Sequence, residues 1–166
     1  HIVFNNCLLG MKRLSIIDLS GSKQPISDSS NKIHIVMNGE IYNYMDLRSE
    51  LKNLGHKFKT NGDVEVVLNL YKEYGIDSIN KLNGMFSFAI YDQEKDILWV
   101  ARDRLGIKPL FFSFKEDKFI FSSELTGIAN ITKSSISEDA LIEYLIYSYI
   151  PSPSTIFKDI KKLQPG

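Results

Sequence analysis

Ile33-His34-Ile35-Val36-Met37-Asn38-Gly39-Glu40-Ile41-Tyr42-Asn43-Tyr44 opens as a β-branched apolar strand and stops at an Asn-Gly pair. Between two strands such a pair is a hairpin turn. The next segment, residues 45–54, instead carries Leu47, Leu51 and Leu54 at helical spacing, so the hairpin fits poorly. A strand end that sets an Asn side-chain amide beside an unhindered Gly N–H offers two donors to one point in space. That is the geometry an oxyanion requires. On these residues alone both readings stand, a plain turn and an anion-binding strand end.

Upstream, residues 7–17 are apolar with a break at Gly10 and predict one or two strands around Lys12-Arg13, followed by a polar loop over 18–32. Downstream, a helix from about residue 44 ends at Gly55, and residues 58–60 predict a short strand. Asp63 has the chemistry of an N-cap for a second helix, whose apolar face is Val67, Leu70, Tyr71 and Tyr74 and whose stop is Gly75. From Met85 the period changes to two, with Phe86, Phe88 and Ile90 alternating. A turn over 92–96 leads into a strand over 97–101. Residues 110–114 and 119–121 predict a further hairpin, Ser137 caps a helix through Tyr147, and Pro151-Ser152-Pro153 reads as an extended linker. Two helices in the first half and an antiparallel set in the second predict an α+β fold.

A chain of 166 residues suits one domain, with room for a tail. Lys plus Arg equals Asp plus Glu at 20 each, so no overall field favours nucleic acid or an anionic membrane. No apolar run approaches the ~20 residues needed to span a bilayer. The single cysteine, Cys7, leaves no partner for an intrachain disulfide and suits a reducing compartment. His1, His34 and His56 are scattered without ligand spacing, and no metal site is expected. His1-Ile2-Val3-Phe4 is strand-like, with neither an initiator Met nor a signal pattern, and Leu163-Gln164-Pro165-Gly166 breaks off where another strand is expected. The expectation is a chain cut at both ends, with an unfilled sheet edge or groove that would favour self-association.

Four segments carry a resemblance when taken in order: Leu9-Gly10-Met11-Lys12-Arg13-Leu14-Ser15-Ile16-Ile17-Asp18, Asn38-Gly39-Glu40-Ile41-Tyr42-Asn43-Tyr44, Leu82-Asn83-Gly84-Met85-Phe86-Ser87-Phe88-Ala89-Ile90, and Ala101-Arg102-Asp103-Arg104-Leu105-Gly106-Ile107-Lys108-Pro109-Leu110. Together they resemble the glutaminase domain of glutamine-dependent asparagine synthetases, a class II glutamine amidotransferase. The resemblance covers residues 8 to about 129 and continues into residues 149–157, which look like that family's passage into its synthetase domain. It divides the chain into an amidotransferase domain over 1–130, lacking its N-terminal segment, and a linker with the start of the synthetase domain over 131–166.

The resemblance implies an N-terminal-nucleophile hydrolase fold, two stacked antiparallel sheets flanked by helices (αββα), incomplete at its N-terminus. It implies that an N-terminal Cys, its α-amine serving as base, attacks the side-chain amide of glutamine. Ammonia then passes to a synthetase domain of the same chain that amidates aspartate. Arg13 matches the arginine that grips the substrate α-carboxylate, a task suited to a two-pronged donor. The backbone of Leu14, Ser15, Ile16 and Ile17 would line the same pocket. Asn38 and Gly39 match the oxyanion donors, and Glu40 and Asp63 the carboxylates near the substrate α-ammonium. No cofactor is expected in this domain. ATP and Mg are implied for the synthetase domain, together with a homodimeric, cytoplasmic parent, without nucleic-acid or membrane partners.

Plainer readings stand beside these. Arg13 is a surface arginine, Asp63 only a helix cap, and Glu40 a cap of the following helix. Arg102, Asp103 and Arg104 read as an ion-pair network stabilising a loop rather than as catalytic groups. Tyr42, Tyr44, Phe86, Phe88, Phe111 and Phe112 read as core. Cys7, internal and in an apolar setting, reads as a buried inert thiol rather than the nucleophile. This chain is therefore expected to hydrolyse no glutamine by itself. Gly62 stands where the family often has Ser, and Met11-Lys12 where it often has His-Arg. Two other functions remain open: an amidotransferase serving another acceptor, such as a sugar or another carboxylate, and a nucleophile-less glutamine-binding or scaffold domain.

Overall fold

A computed structural model describes residues 1–12 and 23–166. These fall into two units, His1–Ala101 and Arg102–Gly166. The first unit starts with a small antiparallel pair, β1 (Ile2–Val3) and β2 (Leu8–Leu9). Its main sheet has the order β3-β4-β5-β6, formed by Ile26–Ser27, Ile33–Ile41, Gly84–Asp92 and Ile97–Arg102. Two helices lie between β4 and β5 in the chain, α1 (Tyr44–Asn53) and α2 (Asp63–Tyr74), and a 3-10 helix over Gly75–Lys81 follows α2.

The two-residue period of β4 decides which face is core. Ile35, Met37 and Ile41 are buried with Phe86, Phe88 and Ile90 of β5, Leu47 and Leu51 of α1, and Val64, Val67, Leu68 and Leu70 of α2. Full burial of each such side chain is worth about 1.5–3 kcal/mol, so this cluster dominates the stability of the unit. Asn38 and Glu40, at the even positions, leave β4 on the opposite face. α2 is buried along its first nine residues, Asp63 to Tyr71, and Gly75 ends it at φ +62°.

Several expectations need correction. The strand does not stop at Asn38-Gly39. β4 runs on to Ile41, with Gly39 opposite Phe86 and Glu40 opposite Met85, because β5 continues to pair with it. Residues 58–60 form no strand: the N–H groups of Lys59 and Thr60 donate to the Glu65 carboxylate, and Phe58 lies under the Arg48 guanidinium. Tyr42 is 55% exposed, Tyr44 only partly buried, and Cys7 half-buried rather than buried. Phe86 and Phe88 are core as read. Residues 151–153 make a turn, with Pro153 O accepting from Lys162 N–H.

In the second unit β7 (Phe111–Lys115) and β8 (Lys118–Ser122) form the expected hairpin, turning through Glu116 and Asp117 at φ +51° and +58°. β9 (Lys161–Lys162) pairs with the other edge of β7. Helix α3 (Leu125–Thr132) packs Ile128 and Ala129 on Ile160, with Phe111, Ile120, Leu125 and Phe157 around them. Helix α4 (Glu138–Tyr147) is capped by Ser137, whose hydroxyl accepts from Ala140 N–H at 3.3 Å.

The segment after β6 is a loop built on two charged side chains. Asp103 accepts from the N–H groups of Leu105, Ile107 and Lys108, and Arg102 donates to the carbonyls of Gly106, Lys108 and Leu163. Both charges hold backbone, which is a loop-stabilising role reached through peptide groups.

Candidate active site

In an antiparallel strand, alternate peptide groups face opposite neighbours. Along β4 the even row faces β5, and Tyr42, one residue past the strand, extends that row by donating to Asn83 O at 2.7 Å. The odd row faces away from β5. β3 covers it only at the start, with Ile26 opposite Ile35 and Ser27 opposite His34. Beyond that, side chains take over. Met37 N–H donates to Gln24 Oε1 at 2.6 Å, Met37 O accepts from Gln24 Nε2 at 3.0 Å, and Ile41 N–H donates to Asp63 Oδ2 at 3.0 Å. Gly39 lies between these two anchored residues, and strand alternation puts its N–H in the same outward row.

Glycine is required at position 39 twice over. Its φ is +133°, which L side chains rarely adopt. A Cβ there would sit 2.0 Å from Met85 O and 2.7 Å from Phe86 Cα. Across the ladder Gly84 is equally bare, since its Cβ would lie 2.2 Å from Glu40 O. The two strands therefore approach closely under the Asn-Gly pair. Nothing bulkier than hydrogen stands on Gly39 to shield the N–H.

Asn38 and Glu40 are partly exposed, and among the described residues neither side chain forms a hydrogen bond or ion pair. Asp63 is 4% exposed and is the first residue of α2. It is not the N-cap expected from the sequence. Gly62 holds that position, and the Asp63 carboxylate instead accepts from the strand end at Ile41. The structure thus brings Asn38, Gly39, Glu40 and Asp63 to one end of β4. Arg13, Leu14, Ser15, Ile16 and Ile17 lie outside the described residues.

Cys7 sits elsewhere in the unit, next to β2. Burial raises its thiol pKa and the Asp96 charge raises it further, so the group is held as the unreactive thiol. Among the described residues no three His, Cys, Asp or Glu side chains cluster as metal ligands, and no helix is long and apolar enough to cross a membrane.

Gln24 carries no mark in the sequence pattern. A side chain that stands in for a strand leaves no periodic trace. The available signal is indirect: Pro25 forces the residue before it into extended backbone, alongside the edge of β4 where β3 pairing ends at Ile35.

Comparison with known proteins identifies the chain. Residues 1–166 match the family model for the glutamine amidotransferase domain. The chain is 40% identical over 158 residues to glutamine-hydrolyzing asparagine synthetase 1 of Bacillus subtilis (strain 168), a match covering 95% of this chain and 25% of that protein. It is 39% identical over 175 residues to putative glutamine-hydrolyzing asparagine synthetase 2 of Methanocaldococcus jannaschii, covering 94% of this chain and 33% of that one. It spans about a quarter to a third of the length of these relatives. Among solved structures, the glutamine phosphoribosylpyrophosphate amidotransferase from B. subtilis, complexed with ADP and GMP, aligns at TM-score 0.56 and 27% identity over 66% of this chain and 26% of that one. The fold is accordingly the α+β type of the N-terminal-nucleophile amidotransferases. With the family match running from His1 to Gly166, this chain belongs to the glutamine amidotransferase family.

Proposed function

We propose that the chain is the glutaminase part of a glutamine-hydrolysing asparagine synthetase, the activity named for the relatives described above. The observation that carries this reading is the outward row on β4, where the Gly39 N–H, with no side chain of its own beside it, lies between two anchored peptide groups and next to the Asn38 amide. Asn38 Nδ2 and Gly39 N–H donate to the oxygen that becomes negative when a thiolate adds to the side-chain amide carbon of glutamine. Donors fixed in advance where charge develops are worth roughly 3 kcal/mol each. Arg13, with the backbone of residues 14–17, takes the α-carboxylate, while Glu40 and Asp63 face the α-ammonium. Each charge of the free amino acid then has a partner, and a peptide-linked glutamine has neither.

The thiolate adds to the amide carbon, and the tetrahedral adduct expels ammonia as the α-amine of the nucleophilic cysteine delivers a proton to the leaving nitrogen. Water then cleaves the glutamyl thioester to release glutamate and restore the thiol. That cysteine belongs to the N-terminus of the mature parent. Cys7 does not fit, being internal and held protonated. In the parent, the ammonia serves a synthetase domain that uses ATP and Mg to amidate aspartate, in a cytoplasmic homodimer.

The test uses the full-length parent. Asn38→Ala lowers kcat for glutamate release about 100-fold and leaves asparagine formation from added ammonia intact, whereas Cys7→Ser keeps the wild-type rate and residues 1–166 alone release no glutamate. An Asn38→Ala enzyme with the wild-type glutaminase rate overturns the oxyanion assignment.

A further inference from the structure

We infer that Gln24 is a positioning residue for the oxyanion-binding pair, acting through the backbone of Met37. The inference rests on the reading of Asn38 and Gly39 given above. A primary amide carries one acceptor and one donor in a plane, as a peptide group does. Gln24 presents both to a single residue of β4, accepting from Met37 N–H at 2.6 Å and donating to Met37 O at 3.0 Å. It thereby supplies the pairing that β3, two residues long, does not extend far enough to give.

The place of this clamp in the strand is what gives it a consequence for the reaction. Met37 immediately precedes Asn38, and its own side chain is 2% exposed within the core. With Gln24 on its peptide groups, Met37 is fixed by side chain and backbone together. Gly39 has no Cβ to restrict it and sits at φ +133°, so its own torsions do not set the direction of its N–H. That direction is set by what holds the strand around it: β5 on the inner row, and on the outer row Gln24 at Met37 and Asp63 at Ile41. Loosening either anchor lets the donor pair drift relative to a substrate still held by its charged end. Misplacement of about 1 Å at a reacting centre can lower a rate about 100-fold.

The test again uses the full-length parent. Gln24→Glu keeps the length and the acceptor for Met37 N–H, but loses the donor to Met37 O. Gln24→Met keeps the length and loses both. Expected are a kcat for glutamine hydrolysis reduced on the order of tenfold or more, a glutamine KM within about twofold, a Tm for both variants that stays well above the assay temperature, and wild-type asparagine formation from added ammonia. A kcat within twofold of wild type in both variants, with Asn38→Ala impaired alongside, overturns the role of Gln24 and leaves the oxyanion pair standing. Loss of kcat only in step with a lowered Tm also overturns it, since that is a folding defect. If Asn38→Ala retains full activity, the parent reading fails instead.

Discussion

Asp63 begins α2, yet its carboxylate reaches out of that helix to the buried N–H of Ile41. Removing the acceptor leaves that N–H unsatisfied inside the protein, which costs about 1–3 kcal/mol. Asp63→Ala is therefore expected to lower unfolding stability by that amount in a urea titration. Asp63→Asn, whose amide oxygen still accepts, should lose less. If the carboxylate also faces the substrate ammonium, Asp63→Asn raises the glutamine KM several-fold while kcat changes little. An unchanged KM would confine Asp63 to its structural bond. The sequence made Asp63 a cap because an acid before an apolar helical run has that chemistry. Its real acceptor role differs only in whose N–H it takes, and that is decided by where β4 ends relative to α2.

Asp28 performs the corresponding service for the β3–β4 hairpin. It accepts from Lys32 and Ile33 N–H and from the Ser30 hydroxyl, and pairs with Lys72 of α2 at 3.1 Å. Burial pushes its carboxyl up, but these bonds outweigh it and hold the acid well below the ordinary range. Because the folded value lies below the unfolded one, the contribution is complete above the unfolded pKa of about 4 and is lost progressively as pH falls below it. Wild type should thus be more stable than Asp28→Asn at neutral pH, with the gap closing from about pH 4 downward when both are unfolded in urea. A pH-independent gap would refute the charge-based account. Elements were legible where a period ran long enough. α1, α2 and α4 show 3.6-residue spacing or a cap, β5 shows alternation, and turn residues bound β6 to β8. The extent of β4 was hidden because Asn-Gly is normally a turn, and only pairing with β5 carries the strand through it. Residues 58–60 looked like a strand from side-chain type alone, while their peptide groups are taken by Glu65. The 3-10 helix and α3 are too short, and too mixed in composition, to announce themselves.

Among the described residues, α4 carries the longest run of exposed large apolar side chains. Ala140 is buried there, whereas Leu145 and Ile146 are 74% and 66% exposed, and Leu141, Ile142, Tyr144 and Tyr147 also face outward. Contiguous apolar surface of this kind drives association in water. Residues 1–166 in isolation are expected to self-associate with rising concentration, and Leu145→Lys with Ile146→Glu should shift the light-scattering mass toward the monomer. A monodisperse wild-type monomer at high concentration would contradict this. The sequence places self-association on a sheet edge or groove, and the exposed apolar side chains of α4 offer a second place for it. In the second unit, Arg102 holds the carbonyl of Leu163, while Leu163 N–H donates to Leu110 O. One guanidinium thus ties the loop after β6 to the backbone just past β9, 61 residues further along the chain. A peptide bond opened at the β7–β8 turn, Glu116–Asp117, would leave the two flanking segments joined through Arg102.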